Sequence, residues 1–248
     1  MQKHGFVFCP HSIILGGRML RKLFAALGMA VASGSAVAST GLHNPYAESH
    51  VNFMYNLLFC DDLALFDGQD GKRSDGLLSS VLAESASAES LLDIARDDKN
   101  EGRIRAVAYH RLRMLGKTGL SKELLGVIVE VPLEGGLDVL AAFSEGGVRY
   151  LNQSGKVLVV EGENTPVSQR ARELIAVSRP VIDKIGPWEE DRLPPPKAGN
   201  IRITFLVSDG LYFGEGSAEI FRNDEMAGPV LAKATQLLQE AVKLGTEK

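Results

Sequence analysis

The stretch from residue 124 to residue 161 constrains the fold of this chain more than any other part of it. It contains four short apolar runs, LLGVIVEV, LDVLAAF, VRYLN and KVLVVE, separated by glycine-containing links of a few residues. Side chains on a strand alternate between two faces, and β-branched residues such as those of the first run favour strands. Parallel strands need connections of a dozen or more residues, so links this short predict an antiparallel meander.

Two further patterns complete the predicted architecture. Residues 201–213 predict a hairpin, because IRITFLV alternates and the Asp209-Gly210 pair favours a tight turn. Apolar stripes at helical spacing predict amphipathic helices at residues 47–60, 87–96, 101–115, 165–185 and 229–244. Pro180 predicts a kink or a break inside the fourth of them. Residues 39–248 therefore read as one α+β domain with a helical N-terminal part (residues 39–118), whose helices pack on one face of the antiparallel sheet.

Residues 1–38 have the organisation of a secretory signal peptide. The part that begins at Met19 has a basic start, an apolar run from about Leu23 to Ala32, and the small-residue motif Ala36-Val37-Ala38. We expect cleavage after Ala38, and Met19 is an alternative start of translation. The predicted location is the periplasm or the extracellular space. If these residues instead form a first helix of the folded protein, the chain is cytoplasmic.

The charge balance argues against two classes of partner. The chain has 31 acidic and 27 basic residues, and the first 38 positions contain four of the basic residues and none of the acidic ones. The remainder therefore carries eight more acidic than basic side chains, and it has no basic cluster. We expect no binding to nucleic acid or anionic lipid. The apolar run of the leader is also shorter than the roughly 20 residues of a stable membrane span.

Motifs for nucleophilic catalysis, cofactor binding and metal binding are missing. No serine stands in a G-x-S-x-G pattern, and the Gly214-x-Gly216 pair lacks the third glycine of a dinucleotide-binding turn. After residue 38 the chain has three histidines and one cysteine, none of them at metal-ligand spacing. Residues 61–71 offer calcium-like oxygen ligands, but no glutamate closes the loop, so a solvated turn is the simpler interpretation. The sequence predicts neither a cofactor nor a metal.

An enzyme whose site has no familiar motif is one alternative. Its candidate residues are Cys60, Asp61, Asp62 and His110, and this hypothesis requires that they converge in one concave pocket. Considered singly, Cys60 follows an apolar helix end and is expected to be a buried small hydrophobe. His110 lies off the apolar stripe of its helix, where we expect an exposed side chain.

Residues 187–199, PWEEDRLPPPKAG, form the most distinctive candidate surface. They combine the only tryptophan, Trp188, with an acidic triplet and three consecutive prolines, which favour an extended polyproline conformation. Tryptophan is enriched at binding hot spots, and a proline-rich segment loses little entropy when it is ordered. The alternative interpretation is that Trp188 covers the core while the prolines stiffen a connection. Tyr212, in the predicted hairpin, is the second candidate for binding.

The sequence thus favours an exported, non-catalytic module that binds a protein or peptide partner through Trp188 and Tyr212. A small-ligand sensor, with a pocket between the sheet and the helices, is a further alternative.

Overall fold

A computed structural model of the chain describes residues 41–66, 76–162 and 164–246, and the structural statements below refer to these residues. The predicted leader and the second half of the calcium-like stretch lie outside them. The helices are α1 (Ser49–Leu57), α2 (Leu77–Leu82), α3 (Ala88–Arg96), α4 (Gly102–Met114), α5 (Pro166–Ile182), α6 (Ala218–Asn223) and α7 (Ala227–Thr246). The strands are β1 (Leu124–Leu133), β2 (Gly136–Phe143), β3 (Val148–Leu151), β4 (Val157–Val160), β5 (Asn200–Val207) and β6 (Gly210–Ser217).

The six strands form one antiparallel sheet in the order β4-β3-β2-β1-β5-β6. The four strands β1 to β4 pair consecutively along the chain, as the short links between them require. The β5–β6 hairpin turns at Asp209-Gly210 and joins the free edge of β1, with Glu130 opposite Arg202. The predicted meander and the predicted hairpin are both confirmed, and the fold is α+β.

Helices cover both faces of this sheet, so the expectation of a single covered face is wrong. One face carries Val127, Val129 and Phe205 in the same core as the apolar sides of α5 and α7. The opposite face carries Leu125 and Ile128 in the core of α1, α3 and α4. The reason lies in β1, where residues 124–130 are all buried. A strand that is apolar on both sides needs a layer of structure against each of them.

Helix α5 begins as predicted but does not end at its internal proline. The Thr165 hydroxyl accepts a hydrogen bond from the Ser168 N–H at 3.1 Å, and Pro166 occupies the first turn. Of the kink or break predicted at Pro180, the break does not occur at the proline itself, since the helix continues for two more residues and ends at Ile182. None of the helices in the described ranges combines the length and the apolar content that a bilayer crossing needs.

The chain that precedes α1 is fixed by two buried asparagines of that helix. The Asn52 amide pairs with both backbone groups of Tyr46 at 2.8 Å. The Asn56 amide pairs in the same way with the backbone of His43, at 3.1 and 2.8 Å. An asparagine amide supplies one acceptor and two donors, so it can satisfy both backbone groups of one residue. These bonds place His43 next to the connection between α5 and β5.

That connection, residues 183–199, is called the proline-rich segment below. It contains neither helix nor strand, as its sequence indicates. It leaves α5 and passes along the edge strand β6, where the Trp188 N–H donates to the Leu211 carbonyl at 2.7 Å. It then reaches the opposite layer, where Arg192 contacts Asn56. The segment therefore covers one edge of the sheet, whose free backbone groups are otherwise open to pairing with other chains.

Candidate functional site

A cleft of about 380 Å³ opens where three parts of the fold meet. One wall is the proline-rich segment from Pro187 to Arg192, another is the second half of α4, and the third is the β5–β6 turn. Asp61, in the loop after α1, completes the lining. We call this site the acidic cleft, because five carboxylate residues line it: Asp61, Glu189, Glu190, Asp191 and Asp209.

Trp188 is a half-buried part of the lining. Its ring centroid lies 5.0 Å from that of Phe213, with an interplanar angle of 67°. Its indole Nε1 donates to the Asp191 carbonyl at 2.9 Å, which closes a tight loop and leaves Glu189 and Glu190 exposed at the rim. Trp188 therefore packs on a half-buried ring of β6 and also lines the cleft. Its role in binding stays a prediction.

Arg192 is held in place from several sides. Its side chain is 7% exposed. Its Nε donates to Asp61 Oδ2 at 2.9 Å and its Nη2 to Asn56 Oδ1 at 2.7 Å. The guanidinium carbon lies 4.0 Å from the centre of the Phe59 ring, a distance at which a cation and an aromatic face attract each other. These contacts fix the orientation of the guanidinium, whose third nitrogen, Nη1, has no hydrogen-bond partner among the described residues.

His110 lies in the acidic cleft, so the expectation of an exposed histidine is wrong. Burial and the adjacent Arg113 lower the pKa of its imidazole to about 4, which keeps the ring neutral at pH 7. Arg113 Nη2 donates to His110 Nδ1 at 3.2 Å, so the proton of the neutral ring belongs on Nε2. The other terminal nitrogen of Arg113 donates to the Ser208 carbonyl at 2.7 Å and ties α4 to the β5–β6 turn.

Three buried side-chain atoms of the cleft residues have no hydrogen-bond partner among the described residues. They are Asp61 Oδ1, Asp209 Oδ1 and Arg192 Nη1. Buried polar atoms in folded proteins nearly always have a partner, and each exception calls for an explanation. Burial raises the pKa of the Asp61 carboxyl, although Arg192 opposes the rise. Residues that line the cleft thus carry two buried acceptors and one buried donor that the described chain leaves unpaired.

The structure brings together two of the four residues of the alternative active site. Asp61 and His110 line the same cleft. Cys60 is 3% exposed, and its Sγ lies 3.7 Å from the Leu57 carbonyl. Burial raises the pKa of its thiol to about 12, whereas a nucleophilic cysteine needs a lowered pKa. Asp62 Oδ1 accepts from the Ala64 N–H at 2.9 Å, at the start of a short 3₁₀ turn.

Tyr212 lies in the core and does not line the cleft. It is 1% exposed and belongs to the apolar layer of α5 and α7. Its hydroxyl donates to Asp209 Oδ2 at 2.9 Å, and burial raises its pKa. Tyr212 thus contributes to the cleft by holding one oxygen of Asp209 and leaving the other unpaired.

A buried polar cluster on the α1 side of the sheet supports the proline-rich segment. Glu130, on the central strand β1, is completely buried, and the Tyr55 hydroxyl donates to its Oε1 at 2.7 Å. Arg202 Nη1 lies 3.8 Å from Glu130 Oε2, while its Nη2 pairs with Glu215 at 2.6 Å. Burial raises the pKa of Glu130. Arg202 Nη1 also donates to the Pro194 carbonyl at 2.7 Å, so β5 holds the segment directly.

Two other features limit the chemistry that the fold offers. The groove between α7 and the sheet has a volume of about 60 Å³ and is lined mostly by apolar side chains such as Val131, Leu140 and Leu238. Pockets for small molecules usually measure about 300–1,000 Å³, so this groove is smaller than such a pocket, and the sensor stays a prediction. Within the described ranges, no group of three histidine, cysteine, aspartate or glutamate side chains is arranged to hold a metal ion.

The sequence analysis missed Arg113, Arg192 and Asp209. Arg192 lies between the acidic triplet and the prolines, and Asp209 belongs to the turn of the predicted hairpin, so each was inside a segment already singled out. What the sequence lacks is a local signal that the hairpin turn meets α4. That contact depends on the order of strands in the sheet, which brings residues 96 positions apart, Arg113 and Asp209, into one cleft.

No protein-family model, no curated protein and no solved structure matches this chain.

Proposed function

We propose that this chain is an exported, non-catalytic protein that binds a peptide segment of a partner in the acidic cleft. The observation that carries the proposal is that Trp188 lines one cleft together with Asp61, Asp209 and Arg192, each of which has a buried polar atom without a hydrogen-bond partner among the described residues. A peptide backbone offers N–H donors for the oxygens of Asp61 and Asp209 and carbonyl acceptors for Arg192 Nη1. A tryptophan at the centre of such a site is typical of a binding hot spot.

The exposed rim favours a peptide over an enclosed small molecule. Glu189, Glu190 and Asp191 are all exposed, and they border the cleft along the proline-rich segment. Small-molecule sites usually bury 70–90% or more of their ligand, which an open rim of charged side chains does not favour. An extended chain can lie along such a rim and insert only one or two side chains.

The titratable groups support binding more than catalysis. The Cys60 thiol is buried with a pKa of about 12, and it donates to the carbonyls of its own helix end. His110, with a pKa of about 4, is a weak base at neutral pH, whereas an efficient general base has a pKa near the working pH. Asp61 is already engaged by Arg192.

The export part of the proposal rests on the leader-like residues 1–38. The His43 backbone N–H donates to Asn56, and His43 Nε2 lies 3.0 Å from the Arg192 carbonyl oxygen. A mature protein that begins at Ser39 keeps both contacts. The test is N-terminal sequencing of the protein recovered from cell fractions. We expect Ser39 as the first residue in the periplasmic or extracellular fraction. A cytoplasmic protein that begins at Met1 or Met19 would contradict export.

The binding part of the proposal is tested by selecting random-sequence peptides on residues 39–248. Because Trp188 is the only tryptophan, its fluorescence reports on the cleft alone. We expect selected peptides to produce a saturable change in its emission. We also expect them to bind Trp188→Ala at least about tenfold more weakly, which corresponds to 1.4 kcal/mol. Because this variant has no tryptophan emission, its affinity is measured through the fluorescence anisotropy of dye-labelled peptides.

The matched control is Leu133→Ala. Leu133 is an apolar residue with 44% of its surface exposed, at the opposite end of the sheet from the β5–β6 turn. This variant should bind the selected peptides as the unmodified protein does, and circular dichroism should show that both variants are folded. Peptides that bind Trp188→Ala with unchanged affinity would remove the cleft as the binding site.

A further inference from the structure

The acidic cleft has a marked excess of negative charge. Five carboxylate residues line it against two guanidinium groups, those of Arg113 and Arg192, and His110 is neutral at pH 7. Both arginines already have partners inside the fold, since Arg113 binds the Ser208 carbonyl and Arg192 binds Asp61. The acidic rim of residues 189–191 is exposed and has no comparable neutralising partner in the cleft lining. The field in the cleft therefore favours a positively charged guest.

The unpaired atoms indicate which hydrogen-bonding groups the bound partner must have. Asp61 Oδ1 and Asp209 Oδ1 are acceptors, so they require donors. Each of these carboxylates has its other oxygen fixed, one by Arg192 and one by Tyr212, so both are held in position before any guest arrives. Charge-assisted hydrogen bonds from an ammonium or guanidinium group to such preorganised oxygens are roughly twice as strong as neutral ones.

The bound partner must also offer a hydrogen-bond acceptor for Arg192 Nη1, which a simple cation lacks. This nitrogen is a donor on a side chain that is 93% buried, and it needs an acceptor. A cation without an acceptor leaves it unpaired, whereas a peptide places carbonyl oxygens within a few ångströms of a basic side chain. A metal ion is also disfavoured, because the described carboxylates do not form a three-ligand group.

We propose, on the premise that the cleft binds peptides, that the bound segment inserts an arginine or lysine side chain between Asp61, Asp209 and the acidic rim, while one of its carbonyl oxygens accepts from Arg192. Trp188 lines the same space and offers its ring to the cationic group, an attraction that is stronger for tryptophan than for the other aromatic side chains. The partner is thus defined by its chemistry, as a basic segment in extended conformation.

The test uses the peptides selected on residues 39–248 and measures their dissociation constants through the emission of Trp188. Each arginine is replaced by citrulline and each lysine by acetyl-lysine, which remove the positive charge and nearly keep the shape. We expect one such replacement to weaken binding at least about tenfold. We also expect affinity to fall at high salt, since the rim charges are solvent-exposed.

The matched protein variants neutralise the rim or a distant site. Glu189→Gln, Glu190→Gln and Asp191→Asn combined should weaken the selected basic peptides by a similar factor. Glu134→Gln should leave binding unchanged, because Glu134 is exposed in the β1–β2 link at the opposite end of the sheet. n-Butylguanidine, a cation without a carbonyl group, should bind far more weakly than the peptides.

The two proposals fail in different ways. Selected peptides that change Trp188 emission but keep their affinity without any basic side chain would overturn the basic-segment inference and leave peptide binding standing. Failure to select any peptide, or selection of peptides that leave the emission of Trp188 unchanged, would overturn both.

Discussion

A fully buried carboxylate, Glu130, lies at the centre of the sheet, where one hydrogen bond and one ion pair offset the cost of its burial. The Tyr55 hydroxyl donates to it at 2.7 Å, and Arg202 lies 3.8 Å away on the neighbouring strand. Removing one partner of a buried charge exposes the desolvation penalty of the other. Tyr46 provides an internal comparison, because its hydroxyl is also buried but donates to a neutral acceptor, the Leu137 carbonyl, at 2.9 Å.

We predict that Tyr55→Phe lowers the free energy of unfolding by about 2–3 kcal/mol and that Tyr46→Phe lowers it by about 1 kcal/mol. The difference arises because the first variant leaves a buried carboxyl oxygen without its donor. Urea denaturation at pH 7, followed by circular dichroism, measures both values. Equal losses in the two variants would mean that the hydrogen bond from Tyr55 to Glu130 stabilises the fold no more than a bond to a neutral carbonyl.

His110 gives a second prediction at the scale of one residue. Its pKa of about 4 in the folded protein lies below the ordinary value of 6.5, because burial and Arg113 disfavour the charged ring while Asp62 favours it. Between these two values the unfolded chain binds a proton that the folded chain does not. The unfolding free energy contributed by His110 is therefore intact above pH 6.5 and falls as the pH drops towards 4, by at most about 3 kcal/mol.

The measurement compares the unmodified protein with His110→Gln by urea denaturation between pH 4 and pH 7. We expect the variant to lose less stability than the unmodified protein over this range, and the other titrating groups cancel in the difference. His50→Gln, at an exposed position of α1, is the control for the substitution itself. A His110→Gln curve parallel to that of the unmodified protein would show that His110 titrates normally.

Among the elements, the proline-rich segment has no regular structure, yet the fold determines its path. Its backbone is bonded to β6 through Trp188 and to β5 through the carbonyls of Leu193 and Pro194, both of which accept from Arg202. Arg202 makes these bonds while also pairing with Glu215. Only the planar, multiply donating guanidinium can hold this set of partners together.

We predict that Arg202→Lys loosens this segment more than it loosens the sheet. The backbone N–H of Trp188 should exchange with solvent deuterium at least about tenfold faster. The segment must break its bonds to Arg202 when it opens locally, and without them the free energy of opening is lower. The N–H of Val129, in the centre of β1, should change by a smaller factor. Arg222→Lys, at an exposed position of α6, is the control. Equal acceleration at Trp188 and Val129 would indicate global destabilisation only.

The whole molecule shows which parts of its organisation are encoded locally. The meander and the hairpin were predictable, because alternation, short links and an Asp-Gly turn are properties of neighbouring residues. The covering of both faces was not predicted, because the face of β2 that carries Leu140 and Ala142 also carries Asp138, although Leu140 and Ala142 are buried in the core of α5 and α7. One aspartate among the apolar side chains of that face was enough to hide the pattern that predicts a second buried face.

The acidic cleft was only partly predictable for the same reason. Trp188 and the acidic triplet stood out by composition, and Asp61 and His110 entered as candidates for chemistry. Their meeting depends on the sheet order, which places the β5–β6 turn next to α4. Cys60 and Tyr212, which were also candidates from the sequence, are buried in the core. Long-range contacts of this kind have no counterpart in local spacing.

A crystal structure of residues 39–248 with the tightest selected peptide would show whether the acidic cleft is the binding site. We predict an extended peptide in the acidic cleft beside Trp188, with a basic side chain at Asp61 and Asp209 and a carbonyl oxygen within hydrogen-bond distance of Arg192 Nη1. A peptide bound elsewhere, for example against α7 or along β4, with the lining of the cleft unchanged, would contradict it.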